Sequence, residues 1–228
     1  MKGKIITIEG LDGSGKSTQI KLLKERLASL GIAHQYIHFP MLNKGVYGHL
    51  VAEFLRGEYG NLEAVHPKLV ALLFAEDRKE HKQKLLTWLE QGYVIILDRY
   101  VKSNVAFQCA KVENETQKVK LRDWILDFEF NHNALPKPEV SFFLELPIEI
   151  IASSLKTIRS GSDRSYLKGR EDIHETSLDF QQKVLAEYQL LLQESPNFYS
   201  VTCSSPSNTW LTPMAIHEQL FSEIKPYL

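Results

Sequence analysis

Residues 8–19 read IEGLDGSGKSTQ, in which three glycines and a lysine directly follow an apolar run. Residues 10–17 satisfy the pattern GxxxxGK(S/T), with a hydrophobic strand pattern before them and a helix-forming segment after them. Glycines let the backbone turn tightly, so that several N–H groups point at one anion beside the positive end of the following helix. The stretch therefore predicts a phosphate-binding loop for a nucleoside triphosphate.

Two side chains of this loop have expected tasks. Lys16 places a compact positive charge on the β- and γ-phosphates, and the hydroxyl of Ser17 binds Mg²⁺. The predicted ATP-binding residues are Gly10, Leu11, Asp12, Gly13, Ser14, Gly15, Lys16, Ser17 and Thr18.

The loop alone does not separate GTPases, motors and small-molecule kinases. Residues 43–46, NKGV, come nearest to the Asn/Thr-Lys-x-Asp tetrapeptide of GTPases, but they lack its aspartate. A chain of 228 residues also leaves little room for the further elements of an ATP-driven machine. Both observations disfavour a GTPase and a motor.

Outside the loop, short buried runs alternate with longer helix-periodic segments. Strands are predicted at residues 4–9, 34–39, 93–97, 140–146 and 198–203. Helices are predicted at residues 16–30, 46–56, 67–91, 119–131, 148–158, 178–194 and 213–225. Gly31 and Gly92 stand where two of these helices should end. The alternation predicts an α/β fold of the P-loop NTPase type, a three-layer α/β/α arrangement around a five-stranded parallel sheet.

Composition limits the partners that the chain can have. The net charge of −1 gives no basic field for nucleic acid or an anionic membrane, which favours a small-molecule ligand. Cys109 and Cys203 are too few for a disulfide framework, and we expect reduced, packed thiols. No apolar run approaches the ~20 residues that cross a bilayer. We therefore expect one cytoplasmic domain over residues 1–228, with neither nucleic acid nor a membrane as partner.

A second polar element follows another predicted strand. Residues 93–100 read YVIILDRY, so that Asp98 and Arg99 stand at its carboxyl end, where parallel sheets face their ligand crevice. An aspartate there can hold Mg²⁺ directly or through water, and an arginine can clamp a phosphate with two parallel hydrogen bonds. A surface ion pair between the two neighbours is the alternative.

Four motifs together resemble the thymidylate kinase family, in its order and at similar separations. They are IEGLDGSGKSTQ at 8–19, HFP at 38–40, LLFAEDR at 72–78 and DRYVKSNVAFQ at 98–108. The resemblance covers most of the chain. It implies transfer of the γ-phosphoryl group of ATP to dTMP, giving dTDP and ADP, with Mg²⁺ as cofactor and a homodimeric assembly.

The resemblance also implies how the acceptor base is bound. Phe74 matches the aromatic residue on which thymine stacks, although by pattern alone it could be a core residue of an amphipathic helix. Arg78 lies one turn further along the same helix face and matches the arginine that binds a thymine carbonyl; its alternative is a solvated charge.

Further acceptor-binding residues follow from the same resemblance. Arg99 matches the arginine that grips the monophosphate, and Asp12 matches a carboxylate near the sugar 3′-hydroxyl. Phe107 stands where a tyrosine is common and where a ring crowds the 2′ position. The predicted acceptor-binding residues are Asp12, Phe39, Phe74, Arg78, Arg99, Ser103, Asn104, Phe107 and Gln108, and the predicted metal ligands are Ser17 and Asp98.

The family supplies positive charge to the transferring phosphoryl group either from an arginine in the phosphate loop or from a lid. Gly13 occupies the loop position here, which assigns the charge to the polar, glycine-containing segment at approximately 159–175, expected to be a mobile lid. Arg159, Arg164, Lys168 and Arg170 are available there. The predicted catalytic residues are Lys16, Arg99, Arg164 and Arg170.

Two departures and two alternatives stay open. Relatives often carry an arginine shortly after the HFP proline, and Lys44 is a weaker candidate for its phosphate contact; His38 is interpreted as a strand-end residue. The alternative enzyme is a related P-loop kinase, either a deoxynucleoside kinase or a kinase of another pyrimidine monophosphate. A deoxynucleoside kinase would need a carboxylate base, for which Glu9 is nearest, whereas Arg99 with Arg78 favours a charged monophosphate acceptor. A regulatory protein that binds nucleotide without turnover is the alternative of a different class.

Overall fold

The computed structural model describes residues 2–42, 44–156, 166–170, 172–175 and 177–228. Its strands are β1 (Lys4–Glu9), β2 (His34–His38), β3 (Val94–Asp98), β4 (Val140–Glu145) and β5 (Phe198–Thr202). They pair in parallel in the order β2-β3-β1-β4-β5. The predicted five-stranded parallel sheet of an α/β fold is thereby confirmed.

The helices differ from prediction in three places. Their bounds are α1 (Lys16–Ser29), α2 (Gly45–Leu55), α3 (Pro67–Glu80), α4 (Lys82–Glu90), α5 (Val101–Cys109), α6 (Glu115–Asp127), α7 (Ile148–Lys156), α8 (Leu178–Glu194) and α9 (Pro213–Ile224). The segment predicted as one helix over 67–91 divides at His81, α5 was not predicted, and α6 starts at residue 115 because Asn114 caps it by accepting from Gln117 N. A π-helical turn, Phe128–His132, follows α6.

The sheet order brings two loops to the same edge. The chain runs from β1 out to β2, returns to β3 beside β1, and then crosses to β4 on the other side of β1. Ile8 on β1 pairs with Asp98 on β3, so the loop after β1 and the turn after β3 lie next to each other. This reversal of strand order is where open α/β sheets bind ligands.

Burial on both faces explains why the strands read as continuous apolar runs. Side chains of the three central strands are buried, among them Ile5, Ile6, Ile8, Ile95, Ile96, Leu97, Phe142 and Phe143. The helix α1 packs on α9, whereas α5 packs against α3, α6 and α8. Cys109 and Cys203 are buried free thiols, as predicted.

A smaller apolar cluster joins α2 and α3 next to the sheet edge. It includes Val51, Phe54, Val70, Phe74 and Tyr166. The carboxylate of Glu80 accepts hydrogen bonds from Val46 N at 3.2 Å and Tyr47 N at 3.4 Å, which places an anion on the first turn of α2. Among the residues described, none of the helices combines the length and the apolar character that crossing a bilayer requires.

Candidate active site

A cavity of about 630 Å³ lies along the carboxyl edge of the sheet. The predicted residues that line it are Asp12, Gly13, Ser14, Gly15, Lys16, Ser17, Thr18, Phe39, Phe74, Arg78, Asp98, Arg99, Ser103, Asn104, Phe107 and Gln108. Gly10 and Leu11, which were also predicted, do not line the cavity. The lining residues that were not in the predicted site are Tyr36, His38, Pro40, Met41, Leu42, Lys44, Leu55, Ser154, Tyr166, Asp172, His174 and Glu175.

The loop after β1 already has the form of an anion cradle. Lys16 Nζ donates to the carbonyls of Gly10 at 3.2 Å and Leu11 at 2.8 Å, so its charge is held over the loop. Gly15 precedes α1 with φ 83°, in the left-handed region that glycine adopts without strain. A Cβ at Gly10 would lie 2.5 Å from Ser14 Oγ. The turn therefore depends on its glycines.

The ammonium of Lys16 is partly dehydrated in this position. Burial, and then the charge of Arg99, lower the pKa of Lys16 to about 8. An incoming phosphate would oppose both effects, because an adjacent anion favours the charged lysine. The indole of Trp210, in the loop after β5, lies over Gly15, 3.5 Å from where a Cβ would stand.

Asp98 has one oxygen occupied and one left over. Its Oδ2 lies 3.0 Å from His38 Nδ1, while Oδ1 is buried and has no hydrogen-bond partner among the described residues. Burial opposes ionisation, but His38 and Lys16 together bring the pKa of Asp98 below its usual value. A charged oxygen without a partner, in the same cavity as the Ser17 hydroxyl, is what a hard divalent cation needs. The predicted metal ligands therefore fit Mg²⁺.

Arg99 joins the loop after β1 to the start of α5. Its Nη2 donates to Asp12 Oδ1 at 2.7 Å and its Nη1 to Ser103 Oγ at 3.2 Å, and its guanidinium lies 5.0 Å from the centre of the Phe107 ring. The backbone of Arg99 has φ 65°, an uncommon conformation for a residue with a side chain. These contacts hold the arginine in the middle of the cavity.

Arg78 and Asn104 share a carboxylate that the sequence did not reveal. Arg78 donates to Glu129 through Nε at 2.5 Å and Nη2 at 2.7 Å, and Asn104 Nδ2 donates to Glu129 Oε1 at 2.8 Å. Glu129 is fully buried on the π-helical turn. A lone acidic residue in the apolar stretch 128–130, FEF, was the available signal. Glu129 orients both side chains towards the cavity that they line.

Two buried amide atoms at this end of the cavity have no hydrogen-bond partner within the described part of the chain. Because Asn104 Nδ2 is used by Ala71 O and Glu129, its Oδ1 is left as an unpaired acceptor. Because Gln108 Oε1 accepts from Lys111 Nζ at 2.9 Å, its Nε2 is left as an unpaired donor. Buried polar groups without partners inside a cavity point to a ligand that completes them.

The opposite wall comes from the segment before α8. His174 lies parallel to Phe74, with ring centres 6.3 Å apart and planes 16° apart, and it touches Phe107 at 5.1 Å. Asp172 accepts from Tyr166 OH at 2.5 Å and from His174 N at 2.8 Å, which fixes the segment. Nothing local in residues 160–175 distinguished these three from solvated loop residues, so sequence reasoning missed them.

The predicted lid residues are only partly described. Arg164 and Arg159 lie outside the described residues. Arg170 is exposed, its Nη1 lies 3.8 Å from Glu58 Oε1, and it does not line the cavity. The structure thus does not bring Arg170 to the phosphate loop, and its catalytic role stays a prediction.

Glu9 is unavailable as a base in this arrangement. It is fully buried at the end of β1 and accepts from Tyr100 N at 2.9 Å, Ser103 Oγ at 2.5 Å and Tyr188 OH at 3.2 Å. Both carboxylate oxygens are used, and Glu9 does not line the cavity. Its place is structural, between β1 and α5.

Comparison with protein families agrees with this geometry. A family model described as thymidylate kinase matches residues 8–210, from the end of β1 to the loop that carries Trp210. The chain belongs to the thymidylate kinase family. The resemblance inferred from the four motifs is confirmed.

Individual members of the thymidylate kinase family match over most of their length. The thymidylate kinase of Mycobacterium tuberculosis is 33% identical over 185 residues, which are 81% of this chain and 83% of that protein. The probable thymidylate kinase of Pyrococcus abyssi is 29% identical over 227 residues, 99% of this chain and 97% of that protein. The solved thymidylate kinase of Candida albicans superposes with a TM-score of 0.74 at 28% identity, covering 99% of this chain and 92% of that one.

Proposed function

We propose that this chain transfers the γ-phosphoryl group of ATP to the 5′-phosphate of dTMP, giving dTDP and ADP. The observation that carries the proposal is that one cavity is lined by the phosphate loop with Lys16, by Arg99, and by two buried amide side chains that each leave one atom without a hydrogen-bond partner among the described residues. Family membership supports the same reaction.

The polar groups at the acceptor end match the edge of a thymine. Arg78 has Nη1 left after its bonds to Glu129, Asn104 presents an acceptor, and Gln108, one turn further along α5, presents a donor. Thymine offers the complementary order of carbonyl, N3–H and carbonyl, whereas cytosine offers an amino group, a bare ring nitrogen and a carbonyl. A mismatch would leave buried groups unpaired, which costs about 1–3 kcal/mol for each. The site therefore favours dTMP over a cytidine nucleotide.

The chemistry needs charge and alignment more than a base. The attacking oxygen belongs to a phosphate and is already anionic, so no strong general base is required. Lys16 neutralises charge on the donor phosphates, and Arg99 grips the acceptor phosphate and aligns it. Ser17 and Asp98 would hold Mg²⁺, which would supply positive charge to neutralise the donor phosphates.

The remaining assignments rest on the family resemblance. We infer a single kinase domain over residues 1–228 with a lid at approximately 159–175, a homodimeric assembly and a cytoplasmic location. The resemblance assigns positive charge for the phosphoryl group to lid residues, foremost Arg164 and Arg170, because Gly13 stands in the phosphate loop. Lys44 lines the cavity and is available for the acceptor phosphate.

Two alternative functions are less well supported. A deoxynucleoside kinase needs a carboxylate to deprotonate a 5′-hydroxyl, and Glu9, the nearest candidate, is buried with three hydrogen-bond donors on it. A regulatory protein without turnover has no use for groups aimed at transition-state charge, yet Lys16, Arg99 and Asp98 are all present.

Coupled ADP release with ATP and Mg²⁺ tests the proposal against dTMP, dUMP, dCMP, UMP and thymidine. We expect dTMP to be the best acceptor, dCMP to be poor, and turnover to stop when Mg²⁺ is omitted. Activity on thymidine alone would establish a deoxynucleoside kinase instead, and binding of ATP without turnover of any acceptor would favour the regulatory protein.

A further inference from the structure

Lys111 is a half-buried lysine directly behind the acceptor end of the cavity, just after α5. Its Nζ lies 4.8 Å from the centre of the Phe54 ring and 5.9 Å from that of Phe180. It reaches two polar atoms, Gln108 Oε1 at 2.9 Å and His174 Nε2 at 3.3 Å. Gln108 and His174 line the cavity, whereas Lys111 does not.

An ammonium group imposes one polarity on both of its neighbours. It has three donors and no acceptor, so each atom that faces it must accept a hydrogen bond. Gln108 must then turn its oxygen to Lys111, which leaves Nε2 for a ligand, and the neutral imidazole of His174 must carry its proton on Nδ1.

We propose that Lys111 is a positioning residue for the acceptor nucleotide, because its two hydrogen bonds fix the amide orientation of Gln108 and the tautomer of His174. The inference rests on the proposed function, since it assigns Gln108 Nε2 to the carbonyl of the acceptor base. Lys111 would not contact the substrate itself, yet it would determine which hydrogen-bonding edge of the acceptor base the pocket binds.

Packing holds the imidazole in place independently of the lysine. Four aromatic rings surround His174, namely Phe54, Phe74, Phe107 and Phe180, with centres between 5.1 and 6.3 Å away. Asp172 accepts from its backbone N–H, and Gln181 Nε2 donates to its carbonyl at 2.7 Å. Removing the Lys111 amine should therefore change hydrogen-bond polarity more than the fold.

The surroundings of Lys111 and His174 make the protonation of Lys111 sensitive to pH. Burial lowers the pKa of Lys111 to about 7, and Asp172 is the charge that opposes this. Burial, and then Lys111, hold the pKa of His174 well below its usual value, while Asp12 and Arg99 act on it in opposite directions. Below pH 7 the lysine is an ammonium and enforces both orientations. Above pH 7 its amine has a lone pair, and the amide of Gln108 is free to turn.

The decisive variant is Lys111→Met, which keeps the stem and removes the donors. At pH 6.5 we expect KM for dTMP to rise about 3- to 10-fold, as for loss of one hydrogen bond, with kcat and KM for ATP unchanged. At pH 8.5 the ratio of variant to wild-type KM should be smaller, because the neutral amine can still donate but no longer enforces the two orientations. Comparing the two proteins at each pH cancels titration of the nucleotide itself.

Lys102→Met is the matched control. Lys102 lies on α5, sits over the aromatic ring of Phe198 at 4.9 Å and donates a hydrogen bond to Ser141 Oγ at 3.3 Å, but unlike the hydrogen-bond partners of Lys111 neither of these residues lines the cavity. Its KM for dTMP should match the wild type at both pH values. An equal rise in this control would overturn the inference, because any buried lysine would then give the effect.

Nitrogen NMR of wild-type His174 provides a readout that does not depend on a variant. We expect an Nδ1–H tautomer at pH 6.5 and a mixture of tautomers at pH 8.5. An Nε2–H tautomer at pH 6.5, or a KM for dTMP that is unchanged in Lys111→Met at pH 6.5, would overturn the inference. Lack of dTMP turnover in the wild type would instead overturn the proposed function.

Discussion

Arg99 shows how much a single residue can carry at this site. Its left-handed backbone, φ 65°, costs of the order of 1–2 kcal/mol for a residue with a Cβ. Asp12 and Ser103 hold the side chain, and Arg99 N donates to Ile8 O at 3.0 Å. The strained turn after β3 therefore keeps the guanidinium next to the phosphate loop before any ligand arrives.

Arg99→Ala should cost at least ~2 kcal/mol of transition-state stabilisation, measured from kcat/KM for dTMP, because the charge on the acceptor phosphate loses its clamp. Arg122→Ala removes an arginine that pairs with Glu194 at the surface, and it should leave kcat/KM unchanged. If kcat/KM for dTMP is unchanged in Arg99→Ala, Arg99 does not contribute to catalysis.

At the residue scale, sequence reasoning located the groups but not their partners. Asp98 and Arg99 were readable because a buried strand ended directly before them. Glu129 was not, because its role arises from contacts with Arg78 and Asn104 that are 51 and 25 positions away in the chain. A local sequence pattern cannot indicate a contact between residues so far apart in the chain.

Elements rather than single residues set the spacing of the acceptor pocket. Helices α3 and α5 bring Phe74, Arg78 and Asn104 to one wall, and the π-helical turn supplies the carboxylate between them. The apolar periodicity predicted α3 but extended it through His81, because the helical periodicity continues without a break into α4. It gave no helix at α5, where nearly every residue is buried and no polar face marks the period.

Glu129→Ala should lower the free energy of unfolding by about 3–5 kcal/mol, because it leaves the buried guanidinium of Arg78 without a counter-charge. Urea denaturation measures this change. The control is Glu194→Ala, which breaks the exposed pair with Arg122 and should cost no more than ~1 kcal/mol. If the two variants lose the same free energy of unfolding, the buried Arg78–Glu129 pair contributes no more to stability than an exposed ion pair.

The segment assigned as a lid permits a separate test. Replacing Arg164 and Arg170 together by alanine should lower turnover more than it lowers the affinity for dTMP, because the charge is needed when the phosphoryl group transfers. Calorimetric binding of dTMP and steady-state kcat separate the two effects. Intact turnover would refute the assignment of catalytic charge to this segment.

For the whole molecule, the order of the strands is what brings the site together. Strands buried on both faces read as continuous apolar runs, so their number and parallel pairing could be predicted from the chain. The wall built by Tyr166, Asp172 and His174 could not, since it depends on how one polar segment returns across the sheet edge. Tertiary contacts, rather than propensity, decide such a segment.

Global stability should respond to pH through Asp77, which is fully buried and accepts from Met41 N at 3.1 Å. Burial raises the pKa of Asp77 from 3.8 to about 6, so the folded protein binds a proton that the unfolded chain releases between these values. This contribution to stability is present at pH 4 and is lost as pH rises through 6.

Asp77→Asn removes that titration. Relative to wild type, the free energy of unfolding of the variant should rise by on the order of 2–3 kcal/mol between pH 4 and pH 7, because only wild type loses the Asp77 contribution. Urea titrations across this range measure the difference. Asp179→Asn, at an exposed residue paired with Lys183, should give a curve parallel to wild type; a parallel curve for Asp77→Asn would contradict the assignment.

The indole that lies over Gly15 gives the molecule an optical reporter of its own. Trp210 is one of three tryptophans, is 41% exposed, and lies next to Gly15 of the loop that would cradle phosphate. Its fluorescence should change when a triphosphate enters the loop and should be lost selectively in Trp210→Phe, with Trp88 and Trp124 as a constant background. Occupancy of the donor site could then be followed in real time without a dye.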